Sequence, residues 1–157
     1  MNNLLNESQS ARQNVAMIAT VALRLGRQFL NRVVFVGGAI LVLLLTDDSV
    51  RDIRPTGDVD VIIEAVSYGS YAAIAEELRA LGFAEDTSPG APICRWRVDG
   101  IRLDVMPTHA EALGFGNRWY PGALAAATSF LLPLTQTALT KTFHPAVALP
   151  SGRADCH

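Results

Sequence analysis

The run Asp58-Val59-Asp60-Val61-Ile62-Ile63 constrains this chain more than any other stretch. Side chains on a β-strand alternate between faces, so residues two apart project from the same side at roughly 6.5–7 Å spacing. Read as a strand, the run puts Asp58 and Asp60 on one face and Val59, Val61 and Ile63 on the other. The apolar face requires a core. The two carboxylates opposite it either repel each other or share a cation.

At 157 residues, half of them hydrophobic and 18% charged, the chain has the composition of one globular domain and not of a disordered one. A net charge of −2 provides no bulk electrostatic attraction for nucleic acid. Lys141 is the only lysine, so the positive charge is almost all arginine. Arginine forks suit phosphates and carboxylates, although coding bias produces the same usage. The two cysteines, Cys94 and Cys156, lie far apart and form neither a metal-ligand cluster nor a disulfide framework, which suits a reducing, cytoplasmic setting. Val33 to Leu45, the most apolar run, is too short for a bilayer, which takes roughly 20 residues, so no membrane partner is expected.

Apolar residues at three- and four-residue spacing predict a helix over Ser10 to Leu30, with Val15, Ile18, Ala22, Leu25 and Phe29 on its buried stripe. Val33 to Val36 reads as a short strand, ended by Gly37-Gly38, with a covering helix over Ala39 to Leu45. The loop ending in Pro55-Thr56-Gly57 delivers the chain to the acidic strand. A second amphipathic helix covers Ser70 to Leu81, with Gly82 at its end. Phe83-Ala84-Glu85 is a short strand, and Ile93 to Val98 and Ile101 to Met106 flank the hairpin turn Asp99-Gly100. Thr108 to Leu113 reads as a helical turn and alanine-rich Pro121 to Phe130 as a helix. The expected organisation is one α/β (α+β) domain with a mixed sheet and flanking helices over 1–132, and an irregular tail over 133–157. The helices are expected on one side of the sheet and an open acidic cleft on the other.

The hairpin carries a third acid. Asp104 shares a strand face with Arg102 and Met106, opposite Leu103 and Val105. If that strand lies beside the Asp58–Asp60 strand, three carboxylates converge. Hard oxygen ligands of this kind suit Mg2+ or Mn2+. Two such ions activate an attacking oxygen and stabilise the leaving oxygen of an in-line phosphoryl displacement. Phosphates also need close backbone approach and free amides, which Gly37-Gly38 at the start of a helix would supply, with Arg54 and Thr56 placed to touch phosphate or carboxylate. Arg95 and Arg97 share one face of the hairpin, which either meets RNA phosphates or is simply solvated. Cys94 reads as a buried small side chain, His109 as an exposed residue, and Trp119 and Tyr120 as packing under a loop.

Val36-Gly37-Gly38 followed about twenty residues on by Asp58-Val59-Asp60, with Asp104 on a later strand, resembles the motif of the polymerase-β-type nucleotidyltransferase superfamily. Arg54-Pro55-Thr56-Gly57-Asp58-Val59-Asp60, the stretch from Ala91 to Thr108 and Gly114 to Pro121 are similar to AbiEii/AbiGii-type nucleotidyltransferases, which include MenT-like toxins of type IV toxin–antitoxin and abortive-infection systems. The resemblance implies a nucleotidyltransferase fold and transfer of an NMP from an NTP to an acceptor hydroxyl on RNA, such as tRNA, or on protein. Asp58, Asp60 and Asp104 would be the catalytic and metal-binding residues, Asp104 also helping to deprotonate the acceptor. Gly37, Gly38, Arg54 and Thr56 would bind nucleotide, and a cognate antitoxin would be a partner. Family members continue into a helical region with a lysine-bearing helix, so this chain reads as a shortened member, and Lys141 is not equated with the family lysine. The alternative is a non-catalytic nucleotide- or partner-binding module of the same fold.

Overall fold

The first helix, α1, runs Asn2–Leu30 and buries Ile18, Ala22, Leu25 and Phe29 at the predicted spacing. It begins before Ser10 and is broken at Gly26, whose φ of 73° and ψ of 163° are not helical. Glycine supplies that conformation because it has no Cβ to clash. The computed structural model describes residues 2–40, 56–131 and 138–142. The expected helix from Ala39 to Leu45 lies mostly outside them, as does Arg54.

Strand β1 (Val33–Val36) is buried at every position and pairs antiparallel with β2 (Asp58–Ile63). Strand β2 in turn pairs parallel with β5 (Ile101–Pro107). Parallel neighbours need a crossover of a dozen or more residues. Here the crossover holds α2 (Tyr68–Ala80), β3 (Ala84–Glu85) and β4 (Arg95–Val98), and β4 forms the predicted hairpin with β5. In its turn Asp99 and Gly100 both have positive φ, 48° and 77°, as a two-residue turn that follows the strand twist requires. Helix α2 is closed at its N-terminus by Ser67 and Ser70, each side chain accepting the other's backbone N–H. After β5 comes the expected helical turn, α3 (Ala110–Leu113), ended by Gly114 in the left-handed conformation.

The five strands run in the order β3-β4-β5-β2-β1 and form a mixed sheet in a single α+β domain. A ribbon of β6 (Thr128–Leu131) and β7 (Ala138–Thr142) extends it, with β7 meeting β1 in parallel at Phe35 and Thr142. These strands correct two expectations. The helix predicted over Pro121 to Phe130 is α4 (Tyr120–Ala125) only, after which Thr128 turns the chain into a strand. Part of the tail expected to be irregular is β7, whose alternating threonines suit a pleated strand but make too short a run to show a period.

One face of the sheet carries the main core. Phe35, Val59, Val61, Trp96, Leu103 and Val105 pack there against α1 and α2, and the Tyr71 hydroxyl donates to the Val105 carbonyl at 2.9 Å. The opposite face is not simply an open cleft. Val34, Val36, Ile62 and Met106 form a smaller core under α4, with the Tyr120 hydroxyl 3.2 Å from the Met106 sulfur. Cys94 belongs to this core, fully buried and disulfide-bonded, where a reduced side chain was expected. The acids share this second face, at the end of β2 that α4 leaves uncovered.

Candidate metal centre

Alternation puts Asp58 and Asp60 on the face opposite Val59 and Val61, and the parallel register sets Asp60 beside Asp104 and Asp58 beside Arg102. Each of the three aspartates offers one oxygen, and these atoms all lie within 4.8 Å of one another. Asp104 is nearly buried at 7% exposure, and Asp58 and Asp60 are half-buried. The expected convergence of three carboxylates is therefore met, and the three lie close enough to bind a metal ion.

The electrostatics fit a cation. Burial, and then the neighbouring carboxylates of Asp58 and Asp104, push the Asp60 carboxyl up from 3.8 to about 7, while Arg95 pulls the other way. The cluster therefore holds more negative charge than its protein surroundings offset. Oxygen-only donors with excess negative charge are the environment that hard divalent ions such as Mg2+ or Mn2+ select.

The glycine turn touches this cluster. A Cβ on Gly37 would lie 2.2 Å from Asp60 Oδ2, and the residue has φ of +79°, so only glycine lets the Asp60 carboxylate sit against the end of β1. A Cβ on Gly38 would come 2.8 Å from Thr56 Cγ2. Gly37 is thus required by packing against the acidic strand, independently of any ligand, whereas at Gly38 an added Cβ meets only the end of the Thr56 side chain. Gly38–Ile40 then forms a three-residue 3₁₀ turn, where the described residues of this segment end.

Thr56 is placed beside the site by α1. Its amide and hydroxyl both face Asn14 Oδ1 at 3.4 Å, long contacts from a side chain that is fully buried. Asn14 gives no sequence signal, since it lies on a helix 42 residues from its partner. Gly57 gives none either: Arg102 Nε donates to its carbonyl at 3.1 Å, and a Cβ there would meet Arg102 Nη2 at 2.2 Å.

Neither sequence reading of the hairpin arginines describes Arg95. Its side chain, 15% exposed, turns into the acids, donating from Nε to Asp104 Oδ1 and from Nη2 to Asp104 Oδ2, both at 2.8 Å, and from Nη2 to Asp58 Oδ2 at 3.0 Å. The Asp104 fork, more than the nearby charges, raises its pKa further above the ordinary value. A signal for this was present in the hairpin, because counting outwards from Asp99-Gly100 pairs Arg95 with Asp104. Arg97 is exposed and pairs with Asp86 at 2.8 Å. His109 is exposed beside Thr108, and Trp119 is 39% exposed with the Arg118 guanidinium 4.5 Å from its ring centre, so only Tyr120 of the aromatic pair is core.

Compared with protein-family models, with curated proteins and with solved structures, the chain matches none. No helix among the described residues is long and apolar enough to cross a membrane.

Proposed function

We propose that this protein is a divalent-metal-dependent nucleotidyltransferase of the polymerase-β type, related to the AbiEii/AbiGii toxins. It would move a nucleoside monophosphate from an NTP to a hydroxyl of RNA or protein, under control of a cognate antitoxin. The observation that carries this reading is the meeting of Asp58, Asp60 and Asp104 at one point beside the Gly37-Gly38 turn.

The three aspartates would hold Mg2+ or Mn2+. When bound, the ion would screen the triphosphate and favour attack at its α-phosphorus. The chain's own residues set the geometry. Strands β2 and β5 fix the carboxylates, and Arg95 holds Asp104 and Asp58 at fixed orientation. The backbone at Gly37 and Gly38, with Thr56 held by Asn14, lines the approach for phosphate. In the transfer a bond forms between the acceptor oxygen and the α-phosphorus, the α–β bridging bond breaks, and pyrophosphate leaves. The acceptor proton passes to the acidic cluster, with Asp104 among its carboxylates.

Incubation with Mg2+, total RNA and each NTP labelled at the α-phosphate tests this. Labelled RNA or protein is expected with the native chain and none with Asp58→Asn, and equal transfer by the two would contradict the proposal. Calorimetric binding of Mg-NTP with no transfer by the native chain would instead support a non-catalytic module.

A further inference from the structure

Arg95 lies where its backbone leaves it little freedom. It stands opposite Asp104 across the hairpin, its N–H bonds the Pro92 carbonyl and its carbonyl accepts the Asp86 N–H, both at 3.0 Å. From there the guanidinium forms a two-point fork on Asp104 and a third bond to Asp58. Planar, two-point Arg–carboxylate pairing fixes orientation as well as supplying charge, which a lysine point charge does not do. Arg102, the other arginine beside the acids among the described residues, directs its Nε to the Gly57 carbonyl.

From this geometry we infer that Arg95 is a built-in second cation, a positioning residue that limits the protein carboxylates to one divalent ion where three free aspartates would accept two. The inference rests on the metal-dependent reading of the same site. Charge and place both support it. Among the described residues, three ionised aspartates and one arginine sum to two negative charges, which a single divalent ion neutralises. Arg95 already engages both oxygens of Asp104 and one of Asp58, while no bond from it reaches Asp60. A resident ion would therefore be held chiefly on the Asp60 side. A second ion in the reaction would have to arrive with the nucleotide, whose phosphates bring their own negative charge.

The test is Mn2+ binding to the full nucleotide-free chain near pH 8, with free Mn2+ followed by its paramagnetic resonance signal. The native protein is expected to hold one ion, Arg95→Met two, and Arg95→Lys one, since lysine keeps the charge without the fork. Circular dichroism checks that each variant is folded. If Arg95→Met does not fold, Arg95→Gln, which likewise removes the charge, takes its place: two ions support the inference and one overturns it. A native chain that binds two ions, or an Arg95→Met chain that still binds one, overturns the role of Arg95 while leaving the metal-dependent reading standing. A native chain that binds none overturns both.

Discussion

Replacing Asp60 by asparagine should make the metal-free protein more stable, and by an amount that grows with pH. The Asp60 carboxyl titrates at about 7 in the fold against an ordinary 3.8, raised by burial and by Asp58 and Asp104. Below pH 4 the group is protonated whether the chain is folded or not, and it contributes nothing to any pH dependence. Between pH 4 and 7 the unfolded chain has lost the proton and the folded chain still holds it, so wild-type stability falls as pH rises. The window spans roughly three pH units at about 1.4 kcal/mol each, which sets a ceiling of about 4 kcal/mol. Asp60 is only half-buried, so solvent screening reduces the expected gap to about 2 kcal/mol. Asparagine has nearly the same shape and no charge, so Asp60→Asn should match wild type at pH 4, pull ahead through pH 7 and hold a constant lead above it. Urea denaturation in EDTA would show this as a midpoint higher by about 1 M at pH 8. Saturating Mg2+ should narrow or reverse the lead, because the ion binds the ionised wild-type cluster in the folded state only. A wild type equal to or more stable than Asp60→Asn at pH 8 without metal would refute the electrostatic account.

Two stability predictions concern the surroundings. Gly37→Ala should destabilise by about 1–3 kcal/mol through its positive φ and its overlap with Asp60; Gly82→Ala, with φ of +90° but no atom within 4 Å of the added Cβ, should lose only about 1 kcal/mol. Equal losses for the two in denaturant titration would show that the Asp60 contact is unimportant. Tyr71→Phe removes a buried hydrogen bond to the Val105 carbonyl and should lose about 1–1.5 kcal/mol in the same assay.

The acidic strand and the hairpin are legible in the sequence because each depends on local pattern: alternation for Asp58 to Ile63, and Asp99-Gly100 for β4 and β5. Their adjacency is only a conditional expectation, since parallel pairing of β2 with β5 joins segments about forty residues apart and no local pattern encodes it. Arg95 illustrates a loss of another kind. Its cross-strand partner follows from the two-residue turn, but treating the arginines as one exposed face hides that Arg95 lies over the acids while Arg97 lies over Asp86. Asn14 has no signal at all, because a polar residue on an amphipathic helix is ordinary until its distant partner is known. The glycine pair reads in sequence as a phosphate cradle. In the fold Gly37 is already required by its positive φ and by Asp60.

The most direct test of the central claim is metal-dependent transfer from α-labelled NTP, measured at pH 8 for the native chain and Asp60→Asn side by side. The native chain should transfer label with Mg2+ or Mn2+ and not with EDTA. Asp60→Asn should fold at least as stably without metal and yet transfer none, which separates lost chemistry from lost structure. Undiminished transfer by Asp60→Asn, or transfer by the native chain that EDTA leaves unchanged, would contradict the account.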